Sequence, residues 1–451
     1  MRHLFVAFLL TTVWVSESHG FQIPQVFSSS NKNKQNNKNK PTTVTKYIDG
    51  DRMLDKVEYL PEILDKHPII DSEFVEHLQV KEDACLPNCE HGWFTSVYKG
   101  AKLHYRRFLP KGKVKGIVVW MHGITSFSGV AFVDDDGRKI NMALLSEQIT
   151  KQGYACYAFD MYGHGYSEGI RHYVRNWKHN LKDYQNFVDL VVQQHSPDTP
   201  LFLCGESYGG CLTLHLAQHF QDHPEERPEG FDSILLLAPA IQAVMPPRHV
   251  YLTLRYGLAP LFPRWIPFFM PHPVHPDRIW RDAKVRALHD DEISRNVTLG
   301  GGGKPFRLGT AASMLDALKM VRKHAIPQLS VPFGVVHGAS DHAVPIEGTE
   351  FLLEHAQTPE EDRDMLRLEG AYHDLLADPD AEATVQFCTQ WIQKRLDKRN
   401  SLAADAVEKE ELASDDQEWW DTLEDLTSVP RTVDSSSRAM DTQKNSTVAF
   451  A

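Results

Sequence analysis

The sequence predicts an α/β fold: a mostly parallel sheet with helices on both faces and an inserted cap. Three observations carry this. Between about Gly92 and Asp397, short strand-like runs alternate with helix-like segments. The runs are apolar on both faces, as the strands of a sheet covered on both sides must be. One long stretch, rich in proline and aromatic residues, interrupts the alternation without a clean strand.

Taken in order, "TSVYKG" and "KLHYRRFLP" read as an opening hairpin around Gly100 and Ala101. The buried strands follow: "GIVVWMHG", "YACYAFD", "LFLCG", "SILLLAP", "FGVVHG" and "MLRLEG". Each is short and apolar, and most end in Gly, Asp or Pro. Among the helices, "MALLSEQITKQG" ends at a glycine that suits a C-cap. "NLKDYQNFVDLVVQQH" sets Leu181, Tyr184, Phe187, Val188 and Val191 on one face. "AEATVQFCTQWIQKRL" repeats that pattern near the end. The interruption runs from "MPPRHVYLTLRYGLAPLFPRWIPFFMPHPVHP" through a loop, "NVTLGGGGKPFRLG", to the helix "TAASMLDALKMVRKHA". It reads as the cap.

The chain then divides as follows: 1–20 a signal peptide, 21–46 a transit-peptide-like or low-complexity linker, and 47–91 an N-terminal extension. Residues 92–240 and 326–398 form the core, 241–325 the cap, and 399–451 an acidic disordered tail. The signal peptide is read from Arg2 and His3 ahead of an apolar run from Leu4, too short for a membrane span. The segment after it holds Ser, Asn and Lys but no Asp or Glu up to Lys46. That layout resembles the two-part presequence of algae with complex plastids; secretion into a lumen is the other reading. The tail, "DAVEKEELASDDQEWWDTLEDL", has few residues to bury.

The 451 residues allow one large domain with extensions, and the net charge of −12 argues against a nucleic-acid partner. Cys85 and Cys89, in "CLPNC", have spacing that fits a local disulfide in an oxidising lumen and lacks the companions of a zinc site. Cys156, Cys204, Cys211 and Cys388 read as small buried hydrophobes.

"GESYGG", Gly205 to Gly210, joins an apolar strand to an amphipathic helix and fits G-x-S-x-G. At such a turn the serine is strained and exposed, and only small residues fit two positions away. A nucleophilic Ser207 needs a base, an orienting acid and an oxyanion hole. In an α/β-hydrolase the order is Ser, Asp or Glu, then His, each after a strand. Asp341 follows "FGVVHG" and His373 follows "MLRLEG", so order and placement agree. Asp374 and Asp378 are the rival acids and read as caps or surface charges. His337 and His342 are the rival bases, too near Asp341 in sequence to reach the serine. The oxyanion hole is assigned to the backbone N–H groups of Tyr208 and of Ile124, which follows His122-Gly123. His122 reads as a structural hydrogen-bonding residue.

"FDMYGHGYSEG" adds Asp160, Gly163, His164, Gly165, Ser167 and Gly169, a tight turn at a strand end with His164 bracing its neighbour. Together these motifs resemble the monoacylglycerol lipase/lysophospholipase family of α/β-hydrolases. That family has HG-x, D-x-x-G-H-G-x-S, G-x-S-x-G, a cap, G-x-x-D and G-x-x-H, all present from His122 to His373. The resemblance covers roughly residues 92 to 397, and plant caffeoylshikimate esterase-like members look closest through "GES" and "GIR". Tyr208 stands where Met is common, Ile124 is bulkier than usual, and the cap is unusually rich in Pro and aromatics. "HDLLAD" also matches H-x4-D of acyltransferases of another fold; because His373 already has a role, that match is read as coincidence.

The resemblance implies a serine hydrolase of carboxylic esters, most of all monoacylglycerols or lysophospholipids, that needs no metal or organic cofactor. Its partner would be a lipid or ester substrate. Leu254, Leu258, Leu261, Phe262, Trp265, Phe268 and Phe269 of the cap suit an acyl chain or peripheral contact with a membrane. The alternatives are an esterase for soluble phenolic or small acyl esters and a catalytically silent binding protein.

Overall fold

The computed structural model describes residues 84–134, 136–288 and 305–427. The segments read as signal peptide and linker, most of the N-terminal extension, the glycine run of the cap and the end of the tail lie outside these residues. Strands are β1 Cys89–Thr95, β2 Lys102–Phe108, β3 Gly116–Met121, β4 Ala131–Val133, β5 Lys139–Asn141, β6 Tyr154–Phe159, β7 Leu201–Glu206, β8 Phe231–Leu237, β9 Phe333–Gly338 and β10 Arg363–Leu368. Eight of them form one sheet in the order β1-β2-β6-β3-β7-β8-β9-β10, and β4 pairs with β5. From β6 to β10 every pairing is parallel; β1 and β2 enter antiparallel. This is an α/β-hydrolase fold.

The side-chain alternation of the strands builds two cores. Ile117, Val119 and Met121 of β3 face one cluster, and Val118 and Trp120 face the other. The first cluster is closed by α2 Trp177–Val192, through Tyr184, Phe187, Val188 and Val191, and by α3 Tyr208–Asp222. The second is closed by α1 Met142–Lys151 and by the start of the last helix, through Val385, Cys388, Trp391 and Ile392. Gly153, with φ of 94°, ends α1 in the left-handed conformation expected of a C-cap glycine. The four apolar cysteines are buried, and Cys85 and Cys89 pack half-buried at the edge of the second cluster.

The cap leaves after β8. Its described elements are α4 Arg248–Leu252, which widens into a π turn over Thr253–Leu258, α5 Pro276–Ile279 and α6 Leu308–Met320. Two more helices follow, α7 Glu347–His355 between β9 and β10, and α8 Ala381–Thr427.

Three expectations need correction. The first hairpin strand is Cys89–Thr95, so the core begins before Gly92 and "TSVYKG" is mostly the turn. β10 is an edge strand, with no neighbour on one of its sides among the described residues, which suits its polar Arg363, Asp364 and Arg367. The acidic segment from Ser401 to Thr427 is helical, not disordered, because it continues α8 through Ala, Glu, Lys and Leu with no Gly or Pro to stop it.

Candidate active site

β7 ends at Glu206 and α3 begins at Tyr208, so Ser207 alone makes the strand-to-helix turn. Its φ is 53° and its ψ −118°, a conformation that L-residues avoid. Such strain persists only where the surroundings impose it. Here the Ser207 N–H donates to the Leu237 carbonyl at 2.9 Å, and its carbonyl accepts from Cys211 and Ala240 at 3.1 and 2.8 Å. The flanking glycines are steric necessities. A Cβ on Gly205 would strike the Thr213 hydroxyl and the Gly209 carbonyl, and one on Gly209 the carbonyl oxygens of Met121 and His122.

The loop after β3 passes beside the serine. A Cβ on Gly123 would sit 3.2 Å from Ser207 Cβ, and Ile124 and Ser207 line the same cavity. Tyr208 is the first residue of α3, so its N–H has no intrahelical acceptor. The loop is held from behind. His122 Nδ1 donates to the Gly123 carbonyl at 2.7 Å, and Nε2 accepts from Met161 N–H at 3.0 Å. Burial holds its imidazole below the ordinary histidine value, which suits this neutral tautomer. Asp160 accepts from both the N–H and hydroxyl of Ser128, from Tyr166 N–H and from His104, with Arg106 beside it. Asp160, His104 and Arg106 are fully buried. Burial would raise the Asp160 carboxyl, but Arg106 and His104 hold it well below the usual range.

Asp341 and His373 meet as expected: His373 Nδ1 donates to Asp341 Oδ2 at 2.6 Å. The other oxygen of Asp341 accepts from the N–H groups of Ala343 and Val344 at 2.8 and 2.9 Å. Burial alone would raise Asp341, but His373 and His337 hold it below the carboxylate range. Burial alone would lower His373, but Asp341 outweighs it and the imidazole is held above its ordinary value. The loops carrying the pair are stitched by Ala339 and Ser340 N–H groups donating to Leu368 and Ala371 carbonyls. Beside Ser207, burial and the Asp374 charge push the Glu206 carboxyl up to about 8, against the pull of His373. At neutral pH it therefore adds little negative charge next to the serine.

The rival residues have other tasks. His337 is buried under Asp341, 3.3 Å from Oδ2, and bonds Thr349 and the Val344 carbonyl. Asp374 and Asp378, expected as caps or surface charges, are buried rather than at the surface, and each accepts a cap-type bond from the backbone ahead of it, from Ala377 N–H and Asp380 N–H at 3.2 and 3.1 Å. Asp374 accepts from Trp280 Nε1 at 2.8 Å and from Asn141 at 3.0 Å. The Ile279 carbonyl accepts from the N–H groups of both His373 and Asp374, each at 3.2 Å. Arg281 pairs with Asp378 and Asp380. The cap segment Ile279–Arg281 thus grips the histidine loop.

Sequence reasoning missed Trp280, Asn141, His104 and Arg106. The last two left a signal, since a buried strand in an apolar context that alternates His and Arg asks for a buried acid. The Tyr208 side chain is fully buried in the first core cluster and does not line the cavity. Of the cap residues singled out, Leu254 lines the cavity, whereas Leu261, Phe262, Trp265, Phe268 and Phe269 point to solvent.

The cavity over Ser207 is almost wholly apolar, with Val244, Leu254, Met270, Phe306, Leu308 and Leu315 among its walls. The chain matches the family described as serine aminopeptidase, S33, over residues 112–380. It is 29% identical over 311 residues to caffeoylshikimate esterase of Arabidopsis thaliana, covering 67% of this chain and 85% of that protein. To rat monoglyceride lipase it is 27% identical over 279 residues, 61% of this chain and 81% of the other. A longer protein of Dictyostelium discoideum, an uncharacterized abhydrolase domain-containing protein, also matches, the chain spanning 28% of its length. Among solved structures, a soluble variant of Saccharomyces cerevisiae monoglyceride lipase superposes with a TM-score of 0.52 at 19% identity, over 67% of this chain and 94% of that one.

Proposed function

The chain belongs to the serine aminopeptidase (S33) family of α/β-hydrolases and is a hydrolytic enzyme of the esterase and lipase kind, and from that premise we propose that it cleaves monoacylglycerols or lysophospholipids through Ser207, His373 and Asp341. The observation that carries this reading is a strained serine opening into an apolar cavity, with a buried His–Asp pair on the neighbouring loops.

In this reading Ser207 Oγ attacks the acyl carbonyl and His373 takes its proton. Asp341 fixes the imidazole by its Nδ1–H and stabilises the charged form. The N–H groups of Ile124 and Tyr208 hold the oxyanion. His373 returns the proton to the leaving alcohol, and water then cleaves the acyl-enzyme. The apolar cavity accepts the acyl chain. The test is fluorophosphonate labelling together with a hydrolysis panel of monoacylglycerols, lysolipids and phenolic esters. Wild type should label and turn over long acyl chains, and Ser207→Ala should do neither. Intact folded protein that does not label would sink the reading in favour of a silent binder.

A soluble phenolic ester is the second reading, favoured by the likeness to a caffeoylshikimate esterase. A preference for short or aromatic acyl groups would select it. We also assign peripheral membrane contact to the outer cap, where Leu261 is 70% and Phe268 94% exposed. Phe268→Ser should lower co-sedimentation with lipid vesicles; unchanged binding removes that assignment. Among the described residues no helix is long and apolar enough to cross a membrane. Entry into the secretory pathway, toward a complex plastid or an endomembrane lumen, is proposed from residues 1–46 and is checked by a fluorescent fusion of that segment.

A further inference from the structure

His337 is the next-to-last residue of β9, fully buried beneath the Asp341 turn, and ester cleavage as derived above makes no use of it. A buried imidazole needs a partner for each ring nitrogen. Nε2 lies 3.2 Å from the Val344 carbonyl and 3.3 Å from Asp341 Oδ2. Both are oxygens without a proton, so Nε2 must carry the hydrogen. Nδ1 is 2.7 Å from the Thr349 hydroxyl of α7, which is free to donate to it. The neutral Nε2–H tautomer therefore satisfies every partner, and Thr349 fixes it from behind.

That hydrogen meets the Asp341 turn at two points. Val344 N–H donates to Asp341 Oδ1 at 2.9 Å, and the carbonyl of the same residue accepts from His337. Asp341 Oδ2 accepts from His373 Nδ1 at 2.6 Å, and His337 Nε2 stands beside the same oxygen. One imidazole thus pins a residue that steadies Asp341 and also faces the charge that steadies His373. Burial works against that charge; His373 and then His337 hold the carboxyl below the usual range. Other ionisable groups surround the pair. Glu206 at the end of β7 and Asp374 on the histidine loop act on His373. His342 turns its ring to Tyr372, and Arg278 of the cap donates to the His342 carbonyl. Arg367 of β10 is in register with His337 but pairs with Glu350 and Glu369 at the surface.

We propose that His337 is a positioning residue for the Asp341–His373 pair: its Nε2–H, oriented by Thr349, holds the aspartate turn and draws on the oxygen that His373 uses. The inference rests on the reading of Ser207, His373 and Asp341 as the triad. An N–H facing Oδ2 takes up part of the carboxylate's charge, so less is left to stabilise a protonated His373. Without that N–H the imidazolium is favoured, and the base becomes neutral only at higher pH. The sign is opposite to that expected from losing the Asp341 charge itself.

The pH profile of kcat/KM on a soluble fluorogenic ester tests it. His337→Met fills the space without a donor and should move the rising limb up by about 0.5–1 pH unit, the equivalent of one net hydrogen bond. Below the limb kcat/KM should fall by roughly three- to tenfold, chiefly in kcat, and it should recover at higher pH. His337→Gln carries an amide N–H near the place of Nε2 and should bring the limb back toward wild type. Thr349→Val deletes the hydroxyl that fixes the tautomer and should move the limb in the same direction as His337→Met, by less. Arg367→Gln, at the exposed position in register, should leave the limb in place. Thermal unfolding followed by circular dichroism identifies the folded variants; should His337→Met not fold, Thr349→Val carries the test. A limb that stays in place in Thr349→Val and in any folded His337→Met overturns the positioning role and leaves the hydrolase reading intact. So does a limb that moves equally in His337→Met and His337→Gln. A folded wild type that hydrolyses no ester removes both.

Discussion

Replacing Asp341 with Asn separates the acid's charge from its shape. The amide oxygen of Asn can still accept from the N–H groups of Ala343 and Val344, so the turn should survive. What disappears is the negative charge 2.6 Å from His373 Nδ1. At an effective dielectric of about 20, unit charges roughly 4 Å apart attract by about 4 kcal/mol. That attraction exists only once His373 has taken the serine proton, so the loss falls on kcat, by about a thousandfold. The pH profile moves as well. A base must be neutral to act, and His373 is held above its ordinary value, so wild-type kcat/KM should rise along a limb above about pH 6.5. In Asp341→Asn, burial, the largest influence and a lowering one, is opposed mainly by Asp374, Glu206 being largely uncharged over the range of the limb. The limb should therefore shift to lower pH while the plateau drops. The assay is kcat/KM on a soluble fluorogenic ester from about pH 5 to about pH 10. A limb that stays in place, or a fall of less than about tenfold, refutes the assignment of base and acid.

Asp160→Asn removes the charge facing buried Arg106 and should destabilise the fold by about 3–5 kcal/mol, read by denaturant unfolding. Because the Asp160 carboxyl is held low in the folded state, its contribution is present in full above the unfolded value and is lost as pH falls below about 4. Acid unfolding should therefore flatten in the variant; an identical acid limb would contradict the account. Trp280→Phe keeps an aromatic ring but removes the pyrrole half with its N–H to Asp374, and should cost about 1–3 kcal/mol for the unmet acceptor plus lost packing, with a fall in kcat larger than any rise in KM. A pure KM effect would mean that the cap grip does not set the histidine loop.

The sheet was legible because its strands are short apolar runs separated by helices, and "GIVVWM" or "YACYAF" could hardly be anything else. The strand-to-helix turn at Ser207 and the meeting of Asp341 with His373 were legible because each follows a strand of the sheet in the order the sequence predicts. The grip on the histidine loop was not. Trp280 and Asp374 lie far apart in sequence, and nothing local marks a cap tryptophan as the donor to a buried aspartate. The burial of Asp378 was missed for the same reason, since its partner Arg281 comes from the cap, whereas its cap-type bond to Asp380 N–H was expected. The helical reach of α8 to Thr427 was missed because acidity was read as disorder, while local propensity favoured helix. Where the Tyr208 side chain goes was decided by the core, in which its ring is buried.

The grip of Ile279–Arg281 on the histidine loop also bears on the birth of the molecule. A ribosome delivers Ser207, the proposed nucleophile, first, the cap second and His373, the proposed base, last. Until β9 and β10 dock, the strained turn at Ser207 has neither Leu237's onward neighbour nor His373 to serve it. The loop that brings His373 closes onto a carbonyl and an indole that belong to the cap. A half-made chain should therefore be chemically inert, and competence should arrive in one late step, when the C-terminal strands find a cap already in place.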